Sequence, residues 1–303
     1  MQPEYLIERN KLKRQIFNWK VIAVVLVVVV SGFFFKFFNS DQALSDAPAR
    51  TDYIASVYLD GIIMENKTRD DVLSKIADDK NIKAVILCVN SPGGGVGASE
   101  QLYSLIRKIA LQKPVVAVMN SLAASGGYMA SIAADYIVAH NSTITGSIGV
   151  IDQSAEITNL AERLGIAFNN FKSSPLKAAP NLMEKLTPEV REARMDIIGD
   201  IYNYFVDIVA ERRKMPRDLV VKIADGRPYT GRQALELKLI DRIGGSDEAL
   251  QWLQQSRNID KNLKVFEVEL VPKSVLQKIL GDNVDQKIYS MLFSFGSGFF
   301  AYL

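Results

Sequence analysis

The sequence predicts a layered α/β fold on a mostly parallel sheet, tied to a membrane by one N-terminal helix. Three observations carry that reading. The runs IKAVILCVN (82–90) and PVVAVMN (114–120) are almost continuously apolar and rich in β-branched residues, the pattern of strands buried on both faces. Stretches with helical spacing lie between such runs, so strand and helix alternate. Upstream, VIAVVLVVVVSGFFF (21–35) carries no charge over fifteen residues.

Taken in order, the apolar N-terminal run resumes after Lys36 with Phe37 and Phe38. Residues 21–38, at ~1.5 Å rise each, span about 27 Å, close to the hydrocarbon thickness. Lys36 can snorkel to the headgroups. Arg9, Lys11, Lys13, Arg14 and Lys20 precede the run, and the mixed set Asp41, Asp46, Arg50 and Asp52 follows it. The positive-inside rule puts residues 1–20 in the cytoplasm and the rest outside, on the periplasmic side. A cleaved signal peptide is the rival, with ALSDAPA (43–49) offering small residues for cleavage. The length of the run and its bulky FFFKFF end favour a retained anchor. A polar linker, 39–51, leads into one domain, 52–303.

That domain opens with the alternating strand YIASVYL (53–59) and the helix RDDVLSKIADD (69–79). The strand IKAVILCVN, the amphipathic helix ASEQLYSLIRKIALQ (98–112) and the strand PVVAVMN follow. A small-residue, helix-like run, ASIAADY (130–136), precedes the strands YIVAH (136–140) and TITGSIGV (143–150). The stretch 186–215 reads as a long helix, with Thr187 as N-cap, Pro188 in first position and Glu189 behind it. The last stretch, IYSMLFSFGSGFFAYL (288–303), is apolar and aromatic but short and Gly-interrupted; core or subunit packing is expected of it rather than a span.

Composition excludes several classes of function. A net charge of +2 gives no basic field on the scale nucleic acid needs. One cysteine, Cys88, allows no intrachain disulfide and no Cys-rich metal site. It reads as a buried small hydrophobe. One histidine, His140, rules out a multi-His zinc site and leaves a single imidazole for any Ser–His pair. It also reads simply as a strand-end residue. No cofactor and no metal are expected.

Chemistry concentrates where strands end in small residues. NSPGGGVG (90–97) presents consecutive glycines, whose N–H groups can converge on an anion or a developing oxyanion. The Walker pattern would need Gly-Lys-Ser/Thr after such a run, and Val-Gly-Ala stands there, which argues against a phosphate loop. A plain tight turn remains open. In NSLAASGGYMAS (120–131), Ser125 lies between a strand and a helix. It is either a helix cap in a tight corner or a nucleophile, with the Gly126 amide beside it as an oxyanion donor. TITGSIGV is either a closely packed strand or one that pairs with an extended peptide. A nucleophilic serine needs a base. With histidine scarce, a lysine is the alternative, provided burial removes several units from its ordinary value of ~10.4. FKSSPLKAAPNLM (171–183) offers Lys177 among Leu176, Ala178, Ala179 and Pro180.

Together NSPGGGV, SLAASGGYMAS, TITGSIGVI, FKSSPLK, LTPE and ADGRPYTGRQALELKLIDRIGG (224–245) resemble the signal peptide peptidase A (SppA) family, in its short single-anchor form. That family belongs to the ClpP/crotonase-like superfamily, and the match runs in order from about 52 to 255. The resemblance implies a layered fold of repeated β-β-α units and a Ser–Lys dyad serine endopeptidase. Ser125 matches the nucleophile, Lys177 the general base and Ser147 the serine that orients the lysine amine. Gly93 matches the oxyanion glycine, with Gly126 as second donor. The family loop reads near K-S-G-x-x-K-D; here Ser174 replaces the Gly and Ala178 the Asp, which leaves Lys172 as a second candidate base. The resemblance further implies a membrane-associated homo-oligomer with sites made between neighbouring subunits. It would degrade signal-peptide remnants and other unfolded peptides without ATP. Alternatives are another membrane-anchored Ser–Lys protease with a protein substrate, a crotonase-type acyl-CoA enzyme, and a non-catalytic membrane scaffold.

Overall fold

The two apolar runs lie side by side in the interior of one eight-stranded sheet in a computed structural model that describes residues 19–20, 26–27 and 51–270. The expected anchor, 21–38, falls outside the described residues except for 26 and 27. Most of segment 1–20, the linker up to residue 50 and the tail 288–303 also fall outside them. Among the described residues no helix is long and apolar enough to cross a membrane.

The chain alternates β1 (Tyr53–Asp60), α1 (Lys67–Asp78), β2 (Ile82–Ser91), α2 (Val96–Ala110), β3 (Val115–Ala124) and α3 (Gly126–Ile132). Then come β4 (Tyr136–Ala139), β5 (Ile144–Gly146), α4 (Thr158–Arg163), α5 (Pro188–Arg213) and α6 (Arg217–Ile223). The last elements are β6 (Pro228–Thr230), α7 (Gly231–Glu236), β7 (Arg242–Ile243), α8 (Ser246–Ser256) and β8 (Val265–Val268). The sheet runs β6-β5-β3-β2-β1-β8, with β4 beside β3 and β7 beside β4. Every pairing is parallel except β5 with β6.

Up to α3 the alternation is one strand to one helix, where repeated β-β-α units were expected. The would-be second strand at the glycine run is reduced to a single bridge, Ile63 to Gly94. Glycines bring no side chains to pack along a ladder. Parallel strands with both faces covered explain the apolar runs. On one face Ile54, Ala84, Ile86, Cys88, Val116, Val118 and Val138 pack with Ala249 and Leu253 of α8. Their neighbours Val85, Leu87 and Val89 are equally buried. Cys88 is a free, buried thiol, as its surroundings suggested.

β3 continues past the predicted end at Asn120 because it breaks register. Val89 pairs with Met119, yet Ser91 pairs with Ala123. The bulge lets one edge of β3 take two strands in succession, β4 against 116–119 and β5 against 122–124. Thr143 and Thr145 serve the carbonyls this leaves, bonding Asn120 O at 2.5 Å and Ala123 O at 2.7 Å. Both strand ends, β3 and β5, thereby arrive at one corner.

Candidate active site

That corner carries Ser125. Its backbone sits at φ 52°, ψ −119°, a conformation rare for any residue but glycine. Its N–H donates to Gly146 O at 2.9 Å, which ties the end of β3 to the end of β5. Ser125 stands in the N-cap position of α3, but its side chain makes no capping bond. The hydroxyl is therefore not spent on the helix, and the simple cap reading of this serine falls away.

The two glycines after it have a steric cause. A Cβ on Gly126 would run into the Ser99 hydroxyl of α2, and one on Gly127 would lie 2.6 Å from Ser91 O. α3 lies against both the glycine loop and α2, with no room for a side chain. As the first residue of its helix, Gly126 has no intrahelical acceptor for its N–H. Gly93 comes to the same place from β2: at φ 98°, its Cβ would stand 2.6 Å from Gly126 N. The Gly93 amide, however, donates to Ser91 Oγ at 3.1 Å. The free donor at the corner is thus Gly126.

Ser147 reaches the corner from the other side. It follows β5 at φ 48°, which ends the ladder and shortens the strand predicted over 143–150. Its N–H donates to Arg227 O at 3.1 Å and its hydroxyl to Gly226 O at 3.2 Å. Ser125 and Ser147 line one cleft of about 470 Å³, with Gly149, Val150, Ile151 and Ala224 as its apolar part. Tyr202, Asp225 and Gly226 complete it. Arg227 bonds the Asp225 carboxylate through two of its nitrogens, at 2.5 and 2.6 Å, and holds that carboxyl below the usual range. The ADGRPYTG segment is the turn that receives Ser147.

Neither lysine lines this cleft. Lys177 is exposed, on a loop turn where its N–H bonds Ser174 O at 3.0 Å. The apolar surroundings expected from LKAAP are not closed around it; Leu176 beside it is 40% exposed. Lys172 is engaged elsewhere. Its amine donates to Glu184 Oε2 at 2.5 Å and to Pro175 O at 3.0 Å. A general base must accept a proton, and in both of these contacts the Lys172 amine is used as a donor. His140 is a strand-end residue, exposed just past β4 and outside the cleft lining. Among the described residues no group of His, Cys, Asp and Glu could hold a metal ion.

The profile of Peptidase family S49 matches residues 107–260. A protein of Synechocystis sp. named as a protease is 34% identical over 232 residues, covering 76% of this chain and 83% of its own. The chain belongs to peptidase family S49, the SppA family. An Enterococcus faecium protein named as the signal peptide peptidase SppA is 39% identical over 188 residues, 62% of this chain and 55% of that one. The chloroplast serine protease SPPA of Arabidopsis thaliana is 39% identical over 212 residues, 69% of this chain and 31% of that one. Among solved structures, the 1510-N membrane-bound stomatin-specific protease aligns with 74% of this chain and 100% of its own, at TM-score 0.47 and 16% identity. As an S49 member the chain is a peptidase, which favours hydrolysis over the acyl-CoA alternative. The S49 match takes in β3, α3, β5 and the whole lysine loop, so both halves of the candidate chemistry lie inside it.

Proposed function

We propose that the chain is a membrane-anchored, ATP-independent serine endopeptidase with Ser125 as nucleophile and Lys177 as general base. Ser147 orients the lysine amine, and Gly126 with Gly93 holds the oxyanion. One observation carries the proposal: a serine hydroxyl left free at a strained strand-to-helix corner, facing a cleft it shares with a second serine. The substrates are short or unfolded peptides, signal-peptide remnants among them, laid along Gly149–Ile151. Residues 21–38 form the anchor and 1–20 stay in the cytoplasm, so the domain from 52 onward works on the outer side. The enzyme is a homo-oligomer. An exposed Lys177 and a cleft without a lysine are complementary, and a neighbouring copy that seats Lys177 in this cleft supplies the desolvation a lysine base requires.

In the cycle, neutral Lys177 takes the Ser125 proton while Oγ attacks the scissile carbonyl. The carbonyl oxygen becomes an oxyanion held by the Gly126 amide. The Gly93 amide joins it once it turns from Ser91 Oγ. The lysine then protonates the departing amine, leaving an acyl-enzyme on Ser125. Water, deprotonated by Lys177, hydrolyses that ester and restores the serine.

The test is hydrolysis of a denatured protein by purified full-length chain across pH, with Ser125→Ala alongside. Activity should rise from acid to alkaline pH as the lysine amine loses its proton. Ser125→Ala should lose about 10³-fold or more in rate. Full activity in that variant would end the proposal.

A further inference from the structure

The loop that bears Lys177 is closed on itself by one carboxylate. Glu184 accepts hydrogen bonds from Asn170 Nδ2 at 2.9 Å, Lys172 Nζ at 2.5 Å and Asn181 Nδ2 at 3.1 Å. Two of these donors also grip the backbone of the enclosed segment. Lys172 Nζ donates to Pro175 O at 3.0 Å, and Asn181 Nδ2 donates to Ala178 O at 2.9 Å. Pro175 and Ala178 flank Lys177 by two residues and by one. The Ala179 carbonyl just beyond is bonded by Arg194 of α5, at 2.9 and 3.2 Å. Every contact in this set stops short of Lys177 itself, whose side chain is left exposed. Lys172 and Glu184 line a cavity of about 250 Å³ with Pro175, Ala179, Pro180 and Lys185.

We propose that Lys172 and Glu184 are positioning residues: an ion pair that fixes the loop so that Lys177 is presented at a set place and angle. This rests on Lys177 being the base, and it gives Lys172 a definite role other than proton acceptor. A loop of fifteen residues, 170–184, has little regular structure to hold it; the described residues here form only turns and bends. A carboxylate with several oxygen lone pairs can collect three donors from both arms of the loop at once, which no apolar contact of this size can do. The Lys172 hydrogen bond, first among several, also holds the Glu184 carboxyl below the usual carboxylate range. These donors favour the carboxylate form of Glu184. Lys172 is the cation bonded to Glu184, and Lys185 is the other charged group lining the cavity. The precision of a base matters because a misplacement of about 1 Å can cost on the order of 10²-fold in rate.

The experiment compares Lys172→Met, Glu184→Gln, the exchange Lys172→Glu with Glu184→Lys, and Lys177→Met in the full-length oligomer, with thermal unfolding as a control on folding. Steady-state kinetics use a fluorogenic peptide across pH. Lys177→Met should abolish turnover. Lys172→Met and Glu184→Gln should each lower kcat about ten-fold and leave KM within about two-fold, because the cleft that binds peptide is untouched. The exchanged pair should recover most of that loss. The pH at which activity rises should stay where it is in Glu184→Gln. Were Lys172 the base, removing the carboxylate beside it would move that rise to lower pH. An inactive Lys177→Met together with wild-type kcat in Lys172→Met and Glu184→Gln would overturn the positioning role alone. An active Lys177→Met with a dead Lys172→Met would overturn the assignment of the base, and the positioning role with it.

Discussion

Ser125 owes its free hydroxyl to its neighbours. Its backbone sits at φ 52° with its N–H bonded to Gly146 O, and the helix behind it could not lie so close without Gly126 and Gly127. The sharpest measure of this is Gly127→Ala. The added methyl would meet the Ser91 carbonyl at 2.6 Å, a backbone atom that cannot swing aside as a side chain would. α3 must then lift from β2. Overpacking of this kind costs about 1–3 kcal/mol, so the denaturation midpoint should fall measurably. The same shift displaces Ser125 from the cleft and Gly126 from the corner beside it, and peptide hydrolysis should fall by about 10²-fold, more than the stability loss explains at temperatures where the variant is folded. Unchanged kcat in a folded Gly127→Ala would mean that the corner tolerates movement.

α3 is a short element held at both ends. At its start the corner is tied to β5. At its finish, the carbonyls of Ile132 and Ala134 accept from Arg212 of α5 at 2.9 and 3.0 Å, and Ala133 O accepts from Arg107 of α2 at 2.7 Å. Two guanidinium groups thus serve orphan carbonyls at the negative end of the helix. Arg212→Leu leaves two of those carbonyls without a charged donor. It should cost about 1–3 kcal/mol in equilibrium unfolding, while Arg212→Lys should regain only part. A loss below the measurement error would assign the anchoring to Arg107. The elements themselves were legible to different degrees. The buried strands β2 and β3 announced themselves in apolar runs, β1 in its alternation, and α5 in its Thr187 cap and Pro188. α3 starts earlier than the run at 130–136 suggested and stops at Ile132, because close packing overrides the low helix propensity of its two glycines. At the site, Ser125, Ser147, Gly93 and Gly126 came from motifs and do converge. Ser91 and the Asp225–Arg227 turn lie inside quoted motifs but had no role there, and Ser99 and Tyr202 lie outside them; all four act through distances that no local pattern encodes. Glu184 was hidden for the same reason: its partners lie fourteen, twelve and three residues away in a loop without periodicity.

At the scale of the whole molecule, the question is where the base comes from. Within one chain, Lys177 faces solvent and the Ser125 cleft is lined without a lysine. The segment leading to it leaves many apolar side chains uncovered: Ile151 is 75% exposed, Leu164 67% and Phe171 98%. Exposed apolar surface of this density belongs against something. In a homo-oligomer with repeated head-to-tail contacts, each cleft can receive the lysine loop of its neighbour, and every site then draws on two copies. This separates sharply from a dyad within one chain by mixing two dead variants. Ser125→Ala keeps Lys177, and Lys177→Ala keeps Ser125. If the sites are shared, co-assembly after mild dissociation or co-expression at equal amounts pairs an intact serine with an intact lysine in about a quarter of the clefts, and activity should return to about that fraction of wild type. If each dyad is built within one chain, every cleft in the mixture stays defective and activity stays at zero. The comparison needs no knowledge of subunit number, because the expected quarter depends only on each cleft having one serine donor and one lysine donor. A mixture that fails to recover, although the two variants are shown to co-assemble, would return Lys177 to the chain that carries Ser125.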